Sequence, residues 1–570
     1  MSFFDDASLV MIPSGYKDQK VYSVKPTDGT GDLTFSRASS ATRVQSDGLI
    51  EKVRTNFILQ SEAFNTTWLL NGIVVTANTA ANPLTGTTTA DTITADAANN
   101  FHLINQSVTY SANENTVSVY VKANGYTWFL IDPSITNAFG YFNVTTGAVG
   151  TKGSACTTSI SNVGGGWYRC SVTFTASAGA AICNFSIRNA DFGGAFLGDG
   201  VSGFFVYGAQ VETGVATDYI ATTTAAVSVG PVSGLPRLDY LGSTCPRLLL
   251  EPQRTNVATY SEQFDNAGWG KTQSGTGLVP VVTANNAISP DGYQNADTIV
   301  FDVGAGTTSS DISAMFQTFG GTTATYTGSF YAKTASGTAQ IQVRIDGSNY
   351  DKFTITNQWQ RFTLTKALTG TSNVFEMAIR RGLNEPMNAT ATIQLWGVQV
   401  ELGAYATSYI PTLGASVTRV AETAIKTSAT ALIGQTEGTI FLEFQKNAGV
   451  DAANIAFTLS DGTSANLIYY NFEGPVIEFI ASSSVQAIKS GGINLVAGTN
   501  KIAVYYKAND FGIYLNGVSI FTDTSGSVGA MSKFNLGSFF NDSFPVGTPI
   551  NQALLFKTRL TNAQLAELTA

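Results

Sequence analysis

Residues 248–269 read LLLEPQRTNVATYSEQFDNAGW, and residues 49–68 read LIEKVRTNFILQSEAFNTTW. In both, an apolar run leads into Arg-Thr-Asn, and a polar stretch then closes on Ser-Glu-x-Phe and a tryptophan. Arg54, Thr55 and Asn56 recur as Arg254, Thr255 and Asn256, 200 positions later. A period near 200 is too long for a solenoid, whose units run about 20–50 residues. It predicts two copies of one domain. In each copy the motif would supply a lead-in strand, a polar turn, and a tryptophan (Trp68 or Trp269) covering an open end of the core.

Downstream of each motif the apolar residues alternate with period two, the mark of a half-buried strand. In TVSVYVKANGYTWFLID (116–132), Val117, Val119 and Val121 share one face. WYRCSVTFTASAG (167–179) alternates Tyr168, Cys170, Val172 and Phe174 with polar neighbours, and GFFVYGAQVETG (203–214) closes the unit. The second half repeats the order with TYTGSFYAKTASGTAQIQVRIDG (325–347), QWQRFTLTKA (358–367) and LWGVQVELGAYATSYIPT (395–412). Eight to ten short strands per copy predict a β-sandwich. A third unit lacks the motif. KIAVYYKANDFGIYLNGVSIF (501–521) predicts a hairpin with tight turns at Asn509-Asp510 and Asn516-Gly517. The final LTNAQLAELTA predicts a short helix capped by Thr561 or Asn562, with Leu565 and Leu568 inward.

The totals agree with an all-β chain. Charged residues are 12% of 570, about half the usual globular share. Gly is abundant at 56 residues, and aromatics at 11% exclude a disordered chain. No apolar run approaches the roughly 18 residues of a membrane-spanning helix. The net charge of −9 argues against a nucleic-acid partner, which calls for a basic surface. MSFFDDASLVMIPSGYK has acids where a secretory leader carries bases, so export by standard secretion is not expected. Cys156, Cys170, Cys183 and Cys245 have no zinc-type spacing; buried thiols are expected, with a Cys170–Cys183 disulfide as the alternative. The first 60 residues hold seven Lys/Arg and seven Asp/Glu, about twice the average charge density. That density predicts a small attachment segment. The expected division is 1–50 for this segment, 51–225 and 226–420 for the two sandwiches, the second with a lead-in hairpin, and 421–570 for the third unit.

The pattern SVYVKA, GWYRCSVTFTA, VYGAQVETG, repeated as SFYAKT, QWQRFTLTK, LWGVQVELG, resembles galactose-binding-like and carbohydrate-binding jelly rolls. The last unit, through KIAVYYKANDFGIYLNGV and LTNAQLAEL, resembles concanavalin A/laminin-G-like lectin sandwiches. LTFSRASSATRVQSDGLIE and RLDYLGSTCPRLLLEPQRTN make the whole chain similar to large virion proteins of tailed bacteriophages, such as head and tail fibres. The resemblance implies serial antiparallel sandwiches on the virion surface. It also implies docking to capsid or tail proteins through the N-terminus, self-association as a homotrimer or a homodimer, and attachment to host-surface glycans.

No catalytic signature accompanies it. His102 is the sole histidine, with no nucleophile elbow, and is expected to be an ordinary surface or strand residue. Two carboxylates suffice for glycoside hydrolysis, so a depolymerase is the rival reading, and a ligand-free capsid decoration the third. No cofactor is expected beyond a structural calcium. The jelly-roll resemblance implies Glu212 and Glu401, in QVETG and QVELG, as its ligands, with Asp199 as a further one in the first copy. Tyr126, Trp128, Tyr350 and Tyr469 lie beside turns and are the candidate glycan-stacking aromatics.

Overall fold

The computed structural model describes residues 2–347, 349–381, 388–446, 455–471, 476–543 and 547–570. The regular secondary structure of the described chain is almost wholly antiparallel strand, with two short helices, Phe3–Asp6 and Asn562–Thr569. It divides into two compact units: 53–230 with 293–295, and the remainder.

The first unit is one sandwich of two six-stranded sheets. One sheet runs Cys156–Gly164, Trp167–Thr175, Glu114–Asn124, Gly203–Thr213, Thr88–Ala95, Ile73–Ala81. The other runs Ala148–Lys152, Ala138–Asn143, Trp128–Ile135, Gly179–Arg188, His102–Tyr110, Leu69–Asn71. Alternation does what period two predicts. Val117, Val119, Val121, Cys170, Val172 and Phe174 point into a core that Phe129, Phe185 and Ile187 close from the facing sheet. The chain makes no hairpin after Lys122: Glu114–Asn124 and Trp128–Ile135 lie in opposite sheets, so it crosses the sandwich there. Cys170 and Cys183 also lie in opposite sheets, and all four cysteines are free thiols.

In the second unit, residues 254–419 repeat the plan with two five-stranded sheets around their own core, which includes Phe264, Trp269, Phe330 and Phe375. The motif shared by both copies is a buried anchor. Asn56 Nδ2 donates to the carbonyls of Ala209 (3.0 Å) and Ile220 (2.8 Å), while its Oδ1 accepts from Ile58 and Val211 amides. Asn256 makes the same four bonds to Val398, Ile410, Ala258 and Val400. Trp68 and Trp269 are buried and donate to the Gln60 and Tyr260 carbonyls. The motif therefore pins the entering chain to the closing strand of its own sandwich.

The third sandwich corrects the expectation for the N-terminus. Leu9–Met11 pairs with Pro549–Phe556, and Leu33–Ser36 pairs with Thr423–Lys426. Leu9, Met11, Val21, Leu33 and Phe35 are buried in the same core as Phe457, Tyr470 and Phe534. Residues 9–36 thus complete the C-terminal sandwich and are no separate attachment segment, while Arg43–Val44 and Ile50–Glu51 pair with each other and Ile50 packs with Trp396 and Tyr409 of the second sandwich. The hairpin Arg237–Asp239/Arg247–Leu249, assigned beforehand to the second jelly roll, also joins this sheet by pairing with Pro549–Phe556. The local reading failed because high charge density resembles a solvated segment, whereas the alternation in LTFS buries Leu33 and Phe35. The turns at 509 and 516–517 form as expected. Asn509, Asn516 and Gly517 all have positive φ (60°, 47° and 83°), and Thr561 caps the last helix over buried Leu565.

One charged cluster joins these segments. Glu422 accepts from Arg37 Nη1 (2.7 Å) and Arg237 Nε (2.8 Å), and Glu251 pairs with Arg237 Nη2 (2.8 Å) and Arg419 Nη1 (2.9 Å). All five side chains are buried. Burial raises the Glu251 carboxyl, but Arg419 and Arg237 outweigh it and hold the group below the usual carboxylate range.

Breaking such a cluster leaves a buried cation unmatched, so Glu422→Gln is expected to destabilise this unit by about 3–5 kcal/mol in chemical denaturation. The exposed pair Lys507–Glu437 (2.8 Å) serves as control, and Glu437→Gln should cost under about 1 kcal/mol. Because the folded Glu251 carboxyl is depressed, its stabilisation is whole above about pH 4.5 and is lost as pH falls through the folded value. Urea midpoints recorded down an acid series should fall below that point in wild type, and fall less steeply in Glu251→Gln.

Candidate functional site

A platform with binding chemistry lies on the outward face of the second sheet of the first sandwich. Strand Gly179–Arg188 sends Cys183, Phe185 and Ile187 inward, which leaves Asn184, Ser186 and Arg188 on the other face. Strand Trp128–Ile135 does likewise with Phe129 and Ile131 inward. Register places Trp128 opposite Arg188, Leu130 opposite Ser186, and Asp132 opposite Asn184. Tyr141, on the next strand, stands opposite Leu130. One face of three strands thus carries an arginine, a tryptophan, a tyrosine and small polar groups.

The loop after Arg188 folds back over this face. Arg188 Nη1 donates to the Gly194 carbonyl (3.2 Å), and the Tyr141 hydroxyl donates to Gly193 (3.5 Å). Phe192 projects from that loop, 64% exposed, and its ring lies 5.8 Å from Tyr141 and 6.2 Å from Phe139. Its backbone is left-handed (φ 55°). A bulky residue there costs about 1–3 kcal/mol, and an exposed ring returns little of that through burial. Phe101 lies 5.1 Å from the Arg188 guanidinium. Burial lowers the Arg188 pKa, against opposing effects of Tyr141 and Asp132, while burial raises Asp132, which Ser134 and Arg188 partly offset. Flat aromatic faces beside a guanidinium and amide or hydroxyl groups suit a sugar ring, which presents apolar C–H patches and polar edges.

The second sandwich fills the corresponding place differently. EMAIR (376–380) replaces NFSIR (184–188), with Arg380 for Arg188 and Glu376 for Asn184. Arg344 stands opposite Glu376 and pairs with it at 2.5 Å. Tyr350 lies between Arg344 (4.7 Å) and Arg380 (5.2 Å), accepts from Arg380 Nη1 (3.3 Å) and donates to Glu376.

Of the aromatics singled out in the sequence, Trp128 alone belongs to the platform. Tyr126 packs edge-on against Phe196 (5.2 Å), Tyr350 is enclosed between arginines, and Tyr469 donates to Glu478 (2.9 Å) in the third sandwich. The structure does not gather the four. Sequence reading missed Arg188, Tyr141 and Phe192. The signal available was the arginine that ends the same strand in both copies.

The proposed calcium ligands have other tasks. Glu212 is buried and accepts from Gln210 Nε2 (2.7 Å), Thr217 N (3.0 Å) and Thr217 Oγ1. Glu401 makes the same set with Gln399 and Thr407. Protein donors take these oxygens because the following turn must be held against the strand. Asp199 accepts instead from Val201 and Ser202 amides in its own turn, and the Ser202 side chain together with these amides holds its carboxyl down to about 2. No three His, Cys, Asp or Glu side chains cluster as a metal site among the described residues. His102 is buried, not exposed, with its ring nitrogens 2.6 Å from the Gly72 carbonyl and 3.1 Å from that of Phe196.

No family model matches this chain, and no curated protein matches it. Among solved structures, it is similar to the CBM40 of the Ruminococcus gnavus IT-sialidase bound to α2,3-sialyllactose. That match has 14% identity and TM-score 0.20, and covers 24% of this chain and 84% of that one. The CBM22-1–CBM22-2 tandem of Paenibacillus barcinonensis Xyn10C matches at 11% identity and TM-score 0.20, over 61% of this chain and 96% of that one. The LG1–3 region of the laminin α2 chain matches at 11% identity and TM-score 0.13, over 80% and 96%.

If Glu212 serves the turn, Glu212→Gln sets an amide NH2 against existing donors and should cost about 1–3 kcal/mol of stability. Adding EDTA to wild type should leave the thermal midpoint in place. A midpoint that drops with EDTA and returns with calcium would instead mark a metal site.

Proposed function

We propose that this chain is a non-catalytic, glycan-binding structural protein of a bacteriophage particle, a head or tail fibre that holds the particle to host-surface sugars. The observation that carries the binding part is the exposed Phe192, held in a costly backbone conformation against Tyr141 and Phe139, on the sheet face that carries Trp128 and Arg188. Stability alone gives no reason for a phenylalanine there, whereas a sugar face does. A hydrolytic role finds less support. The buried glutamates Glu251 and Glu422 are wedged among three arginines, and Glu212 and Glu401 hold turns. The virion part rests on the sequence resemblance. The N-terminus is woven into the third sandwich, so docking to the particle would use the surface of that sandwich and not a free arm. Self-association as a trimer or dimer would raise the avidity of weak sugar contacts.

The test is a panel of bacterial surface glycans offered to the full chain. Binding is expected, and Trp128→Ala/Phe192→Ala should abolish it without moving the thermal midpoint by more than a few degrees. A blank panel would overturn the glycan reading. Separately, particles imaged with an antibody against residues 430–570 should carry label on head or tail, and unlabelled particles would overturn the virion reading.

A further inference from the structure

We infer that the platform around Arg188 takes acidic sugars, with the guanidinium receiving the sugar's carboxylate while Trp128 and Phe192 bracket its ring. The inference rests on the glycan reading above and names the ligand class. Four observations carry it.

First, Arg188 is only 6% exposed, yet no ion pair joins it to any described carboxylate. Its Nη1 donates to the neutral Gly194 carbonyl, and its Nε has no partner among the described residues. Buried guanidinium groups are ordinarily paired, because desolvation is costly and only an anion offsets it well. The other buried arginines make the point within this chain: Arg37, Arg237 and Arg419 each contact a glutamate.

Second, the Ser186 hydroxyl is buried on the same face and also lacks a partner among the described residues. The face therefore offers unspent donors. Asp132 does not consume them. It stands opposite Asn184, acts on Arg188 only as a nearby charge with no ion pair or hydrogen bond between the two among the described residues, and its carboxylate caps the Ser134 amide at 2.8 Å.

Third, the second sandwich provides a contrast. There Tyr350 links Arg380 to Glu376, so that copy contains its own carboxylate. In the first copy Asn184 replaces that glutamate, and Tyr141 bonds a loop carbonyl instead. The second copy supplies a carboxylate from within, and the first has an amide at the corresponding position.

Fourth, the rim is aromatic. Trp128 lies directly opposite Arg188, and Phe192 rises from the loop that Arg188 holds. A guanidinium fork reads a planar carboxylate through two parallel bonds, which an ammonium does not reproduce.

The experiment titrates the full chain with oligosaccharides ending in glucuronic acid or N-acetylneuraminic acid, and with the same oligosaccharides after reduction of the carboxyl to an alcohol. Wild type should bind at least one acidic probe, with its reduced form weaker by about 30-fold or more. Arg188→Met should lose that preference, Arg188→Lys should recover part of it, and Arg380→Met should leave it unchanged. Equal binding of acidic and reduced probes would overturn the inference while leaving the glycan reading standing. Binding of neither would overturn both. The comparison of probes uses unmodified protein, so it decides the matter even if Arg188→Met does not fold.

Discussion

Three arginines and two glutamates buried together impose the strongest constraint in this protein. Glu422 receives Arg37 and Arg237, and Glu251 receives Arg237 and Arg419. Taking these charges out of water costs several kcal/mol per ion, and the cost is offset only when every partner is in place. The members come from four stretches of chain, and Arg37 lies 385 residues from Glu422. The N-terminal strands, the 237–249 hairpin, the lead-in to the second sandwich and the exit from it must therefore assemble together. The apolar contacts of Leu9, Leu33 and Phe35 supply the bulk of the burial, and the charges fix which segments may supply it.

Within the two jelly rolls, duplication preserved the polar anchors more faithfully than the surface. Asn56 and Asn256 make matching sets of four bonds, as do Glu212 and Glu401 with their glutamines and threonines. Arg169 and Arg361 each donate to a serine (Ser118 and Ser329, both 2.9 Å) and lie 5.4 Å from a tyrosine ring. A buried amide or carboxylate left unpaired is expensive, so none of these can drift singly. On the outward sheet face the copies part: Asn184 and Asp132 in one, Glu376 and Arg344 in the other. A common scaffold thus presents two different chemical faces.

Reading along the chain found the duplication because the anchors lie close to one another in sequence and recur at a fixed interval. It singled out Trp128, which lies on the proposed platform, but passed over Arg188, since one outward arginine at a strand end resembles any solvated residue. Only the folded-back loop, which buries that arginine beneath Phe101 and beside Gly194, makes it unusual. Glu212 misled in the opposite sense. A carboxylate near a strand end reads as a ligand to calcium until Thr217, five residues on, is seen to occupy it.

The sequence by itself determined the strand pattern, the two-copy plan and the third sandwich, because period-two burial and paired turn residues are local properties of the chain. Tertiary structure alone decided which sandwich residues 9–36 complete, and which buried arginine has no ion pair among the described residues. Both depend on partners brought together from distant positions, and neither alternation nor composition records the distance between side chains that meet only after folding.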